Sequence, residues 1–192
     1  QGHATVFPQI MADKLGIDYD SINVIDGGDT HGEVPFGRGS GGSRSSMMGG
    51  TATARSCDEV IVKGKMIAAH NLQTTSDKIE FEDGTFKAVE SGGTMTILEV
   101  AKIANDKRKL PDDMDPGLNE RYRYDRGNVP SSYNHPNGCH IAEIEIDPHT
   151  GVIDVVKYTA VDDSGIILNP MIVHGQIHGG VVQGVGQALF EA

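Results

Sequence analysis

The residues best suited to bind an anion lie in a glycine- and serine-rich stretch, GSGGSRSS, at positions 39–46. A helical pattern runs from about position 45 to 71, so the stretch leads into the free backbone N–H groups of a helix N-terminus. These groups and the helix dipole attract negative charge, and an arginine guanidinium matches the geometry of a phosphate. The pattern predicts an anion site, and a mobile loop with a serine N-cap is the alternative. The candidate residues are Gly42, Ser43, Arg44 and Ser45.

Two common phosphate-binding motifs are excluded by the spacing of this stretch. No Gly-Lys-Ser or Gly-Lys-Thr follows the glycines, as a P-loop requires, and no GxGxxG opens the helix after a strand, as a dinucleotide fingerprint requires. Phosphate binding would therefore rely on serine hydroxyls, backbone N–H groups and one arginine.

Other polar residues offer weaker indications of chemistry. The amide of Gln1 can both donate and accept hydrogen bonds just ahead of a predicted helix. His174 and His178 would share a helix face, as metal-binding pairs do. No glutamate lies between them and no third ligand is near in sequence, which favours ordinary polar or interface histidines. No Ser/His/Asp or Cys/His set and no paired general acid and base stand out.

Two residues of a predicted hairpin are further candidates. Asp163 follows Asp162 at the end of the second strand, where a carboxylate caps a turn or binds a sugar hydroxyl, and turn capping is the favoured interpretation. Cys139 begins the first strand, and a lone, partly buried cysteine is usually inert packing.

Helices and hairpins must position these residues. A helix ending at Gly16 is expected to start near Phe7 or with a distorted first turn, because Pro8 lies inside it. A short buried strand is expected from Ser21. Two hairpins are predicted, with turns at Asp83-Gly84 and at DPHTG.

Further along the chain, Thr96 and Glu99 form a predicted capping box for another helix. The C-terminal GQIHGGVVQGVGQALFEA reads as a helix in which each interior glycine costs about 1 kcal/mol against alanine. We expect its glycine face to meet another backbone or a ligand. The glycines concerned are Gly179, Gly180, Gly184 and Gly186.

The mixture of elements predicts an α+β fold rather than a regular βαβ wind. Two subdomains, at about 1–106 and 134–192, are expected to be joined by an irregular, charged arm over 107–133. The arm would either face another subunit or wrap along the surface.

Composition excludes several classes of function. The 192 residues carry a formal net charge of −11, which argues against nucleic acid binding through a broad basic surface. Two cysteines are too few for a disulfide scaffold and suit a reduced, cytoplasmic setting. The sequence shows no signal peptide and no apolar run long enough to span a bilayer.

Three blocks of sequence together resemble one family. They are QGHATVFPQIMADKLGI, VPFGRGSGGSRSS and the long block from HPNGCHIAEIEIDPHTG to GVVQGVGQALFE. Their order and intervals resemble the large, molybdenum-cofactor-binding subunits of the xanthine dehydrogenase and aldehyde oxidase family, of the carbon monoxide dehydrogenase-like type. The resemblance covers most of the chain and is weakest from Ile67 to Tyr133.

The resemblance implies a molybdopterin cofactor, in its cytosine dinucleotide form, and a set of residues that hold it. Residues 1–3 would face the pterin and its phosphate, and residues 42–45 would line the phosphate site. Gln183 would hydrogen-bond near the dithiolene and pterin, while the hairpin residues would reach the nucleotide end. The implied cofactor-binding residues are Gln1, Gly2, His3, Gly42, Ser43, Arg44, Ser45, Cys139, Asp163 and Gln183.

The resemblance also implies what the chain would lack. Family members use a glutamate in a later Gly-Glu motif as the base near molybdenum, so we expect no catalytic residue in this chain, which would be an inactive internal piece of the large subunit. The parent would oxidise an aldehyde, a heterocycle or carbon monoxide with water-derived oxygen. Electrons would pass to iron–sulfur and FAD subunits in a dimer of heterotrimers. A non-catalytic phosphate- or nucleotide-binding module and a subunit-assembly module are the alternatives.

Overall fold

The described chain forms two compact units. The computed structural model describes residues 1–25, 39–123 and 134–191. The first unit is Gln1–Ser132 and the second is Tyr133–Ala192. Each contains helix and antiparallel sheet, which confirms the predicted α+β class.

Helix α1 spans His3–Leu15 and ends at Gly16. Gly16 has a left-handed backbone (φ 59°, ψ 39°) and its N–H bonds to the carbonyl of Ala12, so the predicted stop is confirmed. The expected start near Phe7 was wrong, because the helix already begins at His3 and carries Pro8 in its interior. The missing N–H of Pro8 removes one helical hydrogen bond, and full burial of its ring offsets that loss.

The segment after α1 does not form the expected strand. Ser21 lies in a 3₁₀ turn, Tyr19–Ser21, and Ile25 is 87% exposed. Apolar residue types alone cannot make a strand, because a strand also needs a neighbouring backbone to pair with. The rest of the expected strand lies outside the described residues.

The longest helical run of the first unit starts at the anion-site candidates. A π-helical segment, Ser46–Gly50, leads directly into helix α2, Thr51–Asn71, which confirms the predicted helix. Cys57 of α2 is a buried free thiol. Burial, reinforced by the negative charge of Asp58, raises the pKa of the Cys57 thiol, so this cysteine is neutral packing.

A three-stranded antiparallel sheet packs on α2. Strands β1 (Ile79–Glu82) and β2 (Thr85–Ala88) are joined by the predicted two-residue turn, in which Asp83 and Gly84 both have positive φ. Strand β3 (Thr94–Thr96) pairs with β2 and was not predicted, since three residues are too few to show a period.

Gly84 also fixes where the hairpin sits against α1. A Cβ on Gly16 would overlap the backbone of Asp83 and Gly84, and a Cβ on Gly84 would lie 2.5 Å from the carbonyl oxygen of Gly16. Both positions therefore need glycine for space as well as for positive φ.

Helix α3, Ile97–Ile103, begins with the predicted capping box. The Thr96 hydroxyl accepts the Glu99 N–H at 3.2 Å, and the Glu99 carboxylate accepts the Thr96 N–H at 2.8 Å. Two orphan donors are thus satisfied at the helix start, which confirms the prediction.

The hydrophobic core of the first unit lies between α2, the sheet and α3. Part of the predicted arm belongs to it: Leu110 and Met114 are buried, and the Gly117 N–H bonds to the carbonyl of Ala104 at 2.6 Å. Residues 124–133 of the arm lie outside the described residues. The core residues are Leu15, Cys57, Ile67, Ala68, Ala69, Ile79, Phe86, Ala88, Ile97, Val100, Ala104, Leu110 and Met114.

The second unit contains one long hairpin and one helix. Strands β4 (Asn137–Ile146) and β5 (Ile153–Asp163) pair antiparallel around the predicted DPHTG turn, with a bulge opposite Glu143 and Ile144. Helix α4, Pro170–Leu189, confirms the predicted glycine-rich helix and is capped by the Asn169 side chain. The helices in the described ranges all fall short of the length and apolarity that a membrane crossing requires.

The glycine face of α4 shows no tight contact. A Cβ on Gly179, Gly180 or Gly184 would meet nothing within 4 Å, and one on Gly186 would meet the Glu191 side chain at 3.4 Å. Among residues 134–191 the close approach expected at this face is therefore absent.

Candidate functional site

The serine loop, residues 39–46, meets the start of α1 in the first unit. The hydroxyl oxygen of Ser40 lies 3.0 Å from that of Ser45 and 3.5 Å from Nε2 of His3. His3 is the first residue of α1, and Ser45 stands directly before the π-helical segment. The fold thus joins two of the sequence candidates, His3 and Ser45, which lie far apart along the chain.

The backbone of the serine loop is strongly curved. Gly39, Gly42 and Ser43 all have positive φ, at 69°, 59° and 53°. For a serine this conformation is strained, and such strain persists where the surrounding structure imposes it. The Arg44 guanidinium donates to the carbonyl of Gly39 at 2.9 Å and so ties the two ends of the loop together.

The serine N-cap alternative is not what the loop adopts. Ser45 makes no side-chain capping bond at the start of the π-helical segment. Its hydroxyl pairs with Ser40 instead, while the Met48 N–H bonds to the carbonyl of Arg44 at 2.8 Å. The side chain of Ser45 therefore belongs to the loop cluster.

The side chains of this cluster suit an anion that carries phosphate oxygens. Hydroxyls, an imidazole and a guanidinium are groups that bind phosphate oxygens. Residues 39–43 are exposed, and Arg44 and Ser45 are half-buried, so an anion can reach the loop from solvent.

Gln1 and Gly2 stand beside this cluster in sequence. Gly2 caps α1 with a left-handed backbone (φ 77°), and its carbonyl accepts the N–H groups of Thr5 and Val6. Gln1 is exposed. The N-terminal segment is thus fixed at Gly2, which places His3 at the loop.

Cys139 and Asp163 share one face of the second unit's hairpin. Cys139 pairs with Val161, and Asp163 lies two residues further along β5, which makes the two candidates diagonal neighbours. Cys139 is exposed, so the expectation of a partly buried packing residue was wrong. The Asp163 carboxylate accepts the Gly165 N–H at 2.9 Å, as the turn-capping interpretation predicts.

The opposite face of the hairpin carries a polar cluster that sequence analysis missed. His140 Nε2 lies 3.0 Å from the Asp162 carboxylate, and its Nδ1 lies 3.1 Å from the Tyr158 hydroxyl. A Cβ on Gly138 would overlap Asp162, so glycine leaves space for that carboxylate. Counting from the DPHTG turn without the bulge pairs His140 with Thr159 and puts Tyr158 and Asp162 on the other face, so alternation alone could not have revealed the cluster.

Helix α4 carries the remaining candidates of the second unit. Gln183 is exposed, and the rings of His174 and His178 lie 6.3 Å apart. The two histidines, with Tyr158 and Ile177, line a groove of about 380 Å³. Across the described ranges no three His, Cys, Asp or Glu side chains are grouped as a metal site.

Comparison with known proteins identifies the family. A family model described as "Molybdopterin cofactor-binding domain" matches residues 1–192. The chain belongs to this family. The resemblance seen in the three sequence blocks is thereby confirmed.

Individual relatives match over nearly the whole chain. The nicotine 6-hydroxylase large subunit of Paenarthrobacter nicotinovorans is 37% identical over 100% of this chain, and the carbon monoxide dehydrogenase large chain of Hydrogenophaga pseudoflava is 36% identical over 98%. The chain spans 23% of the length of each. The solved quinoline 2-oxidoreductase of Pseudomonas putida 86 superposes with a TM-score of 0.79 and 35% identity, over 97% of this chain and 23% of that one.

Proposed function

We propose that this molybdopterin-binding domain takes the cytosine dinucleotide form of the cofactor and holds its phosphate end in the serine loop. The observation that carries the proposal is the cluster of His3, Ser40 and Ser45, which gathers anion-binding groups in a family that binds a phosphorylated cofactor. Gly42, Ser43 and Arg44 complete the loop around it.

The other candidates have more distant roles in this proposal. Gln1, Gly2 and Gln183 bind near the pterin, and Cys139 and Asp163 bind at the nucleotide end. The amide of Gln183 and the carboxylate of Asp163 offer the acceptors and donors that such rings and hydroxyls need. These side chains bind and orient, and none serves as an acid or base.

The parent protein is an oxidoreductase in this proposal. When bound, the cofactor supplies the redox centre for oxidation of an aldehyde, a heterocycle or carbon monoxide with water-derived oxygen. The named relatives support the latter two classes, since they include a nicotine hydroxylase, a quinoline oxidoreductase and a carbon monoxide dehydrogenase. Iron–sulfur and FAD subunits take the electrons in a cytoplasmic dimer of heterotrimers, and the catalytic glutamate lies outside residues 1–192.

Binding of cytidine diphosphate to the full chain tests the proposal. Isothermal titration should show saturable binding that the double variant Ser43→Ala, Arg44→Ala weakens by about tenfold or more, because a charge-assisted contact is lost. Arg55→Ala is the matched control, since it removes the same charge at an exposed ion pair outside the loop.

Equal affinity in the double variant and the control would contradict a phosphate site in the serine loop. Cytidine binding that is equally strong in Asp163→Asn would contradict the role given to the hairpin. A parent protein that is purified with bound nucleotide but without molybdenum would favour the nucleotide-binding module instead.

A further inference from the structure

One aromatic ring lies directly behind the serine-loop cluster. The rings of Phe7 and His3 are stacked, with centroids 5.1 Å apart and planes within 8° of parallel. The two residues are one helical turn apart on α1, where side chains of this spacing meet. The Phe7 ring therefore sets the plane in which the His3 imidazole can lie.

The ring of Phe7 is itself held by the π-helical segment. A Cβ on Gly49 would lie 2.5 Å from Cζ of Phe7 and within 3.3 Å of both neighbouring ring carbons, so only glycine leaves room for the ring. The carbonyl of Gly49 accepts the Thr53 hydroxyl at 2.9 Å. The widened turn of a π-helix changes which residues face α1, and such turns often occur at functional sites.

Phe7 does not belong to the hydrophobic core of the first unit. Phe7 is half-buried and does not join the cluster of described residues that packs around Phe86 and Ile67. Its neighbours on α1, Val6 and Pro8, are buried. The ring is thus placed between Gly49 on one side and His3 on the other.

We propose that Phe7, seated against Gly49, is a positioning residue that holds the His3 imidazole at the serine loop and so preorganises the loop for an anionic group. The inference rests on the proposed function of that loop. A stacked imidazole has lost its side-chain rotation before the anion binds, which lowers the cost of binding. Contacts then run from Gly49 through Phe7 and His3 to the Ser40 hydroxyl.

Two variants of the full chain test this role. Phe7→Leu removes the stacking, and Gly49→Ala displaces the ring without changing α1. Both should shift the imidazole resonances of His3 in NMR spectra, because the ring current of Phe7 is lost or moved. Both should weaken the affinity for inorganic phosphate by about three- to tenfold, the cost of immobilising one side chain. Combining Gly49→Ala with Phe7→Leu should add little to Phe7→Leu alone, since both act through one ring.

Phe81→Leu is the matched control. It makes the same chemical change in a ring that packs on Phe86, 4.6 Å between centroids, away from the serine loop. It should lower stability and leave the His3 resonances and the phosphate affinity unchanged.

The outcomes separate this inference from the proposed function. If the unchanged chain binds phosphate and Phe7→Leu alters neither the His3 resonances nor the affinity, the positioning role is overturned and the phosphate site stands. Shifted resonances with unchanged affinity overturn it as well. If the unchanged chain fails to bind inorganic phosphate or cytidine diphosphate, the proposed function is overturned, and the positioning role with it.

Discussion

The β1–β2 hairpin and the β4–β5 hairpin have the same kind of local sequence signal and very different surroundings. In the first unit, Ile79, Phe86 and Ala88 of β1 and β2 are at most 2% exposed. In the second unit, all residues of β4 are exposed, and Tyr158 alone in β5 is half-buried. Ile144 and Ile146 in the longer hairpin each expose 55% of their surface.

This difference separates what forms a hairpin from what stabilises it. Turn residues and alternation are enough to set the register in both cases. The free energy of burial, about 25 cal/mol per Å² of apolar surface, is gained only where another element covers the strands. Substitutions should therefore have large effects in the first unit and small or opposite effects in the second.

The largest loss of stability is expected at Gly16, where the first unit leaves no space for a side chain. Gly16→Ala should lower the free energy of unfolding by about 3 kcal/mol or more, because the new Cβ overlaps the backbone of the Asp83-Gly84 turn and the position has positive φ. Urea unfolding followed by circular dichroism measures it. Gly92→Ala is the control: its φ is also positive, at 71°, but a Cβ there meets nothing within 4 Å, so about 1 kcal/mol is expected. Equal losses in both variants would mean that backbone conformation, not contact, governs Gly16.

Glycine-to-alanine substitutions in α2 and α4 should change stability by intermediate amounts and in opposite directions. Gly64→Ala in α2 should destabilise by about 1 to 3 kcal/mol, because its Cβ overlaps the Phe86 ring. Gly179→Ala in α4 should stabilise the helix by about 0.5 to 1 kcal/mol, because space is open there and alanine favours the helix. Amide exchange in each helix reports both changes. Destabilisation by Gly179→Ala would reveal a close partner on the glycine face.

The smallest effects concern two carboxylates at acid pH. Hydrogen bonds from Thr96 lower the pKa of Glu99, and the backbone N–H groups of His149 and Thr150 lower that of Asp147. Each folded pKa lies below the unfolded one, so the stabilisation is present above the unfolded value and is lost as pH falls below about 4.

The contrast between the units should persist in acid. The protection factor of the His149 amide should fall more on acidification than that of the Glu99 amide, because the core holds α3 after its cap weakens. Asp147→Asn should remove most of the fall at His149, and Asp154→Asn, a change elsewhere in the same hairpin, should not. A larger fall at Glu99 would contradict the view that burial protects the first unit.

Whether a structural feature can be predicted from the sequence depends on how far apart along the chain its interacting residues lie. The Asp83-Gly84 turn, the Thr96 cap and the Gly16 stop each depend on a few consecutive residues, and all three were predicted correctly. The strand expected from Ser21 failed because pairing partners are not local. Strand β3 was missed because its register depends on β2.

The candidate site shows the same limit. Composition identified the serine loop, and family resemblance added His3, but neither indicated that Ser40 would join them. That contact links residues 37 apart in sequence. The contact of Gly49 with the Phe7 ring depends on a π-helical turn, and no residue pattern predicts such a turn.

The bulge in the second unit's hairpin determines which residues of β4 and β5 face each other near the turn. Lys157 pairs with Glu143 and Val155 with Ile144, so Val156 is the one residue without a counterpart. Because of it, Ile144 and Ile146 face Val155 and Ile153, and Glu145 faces Asp154. If Val156 were paired with Ile144 instead, the register would shift by one towards the turn and Ile146 would face Asp154. A single unpaired residue thus keeps charge and hydrocarbon sorted onto opposite sides of the ribbon near its turn, and deleting it would give a regular ladder in which these pairs are unchanged.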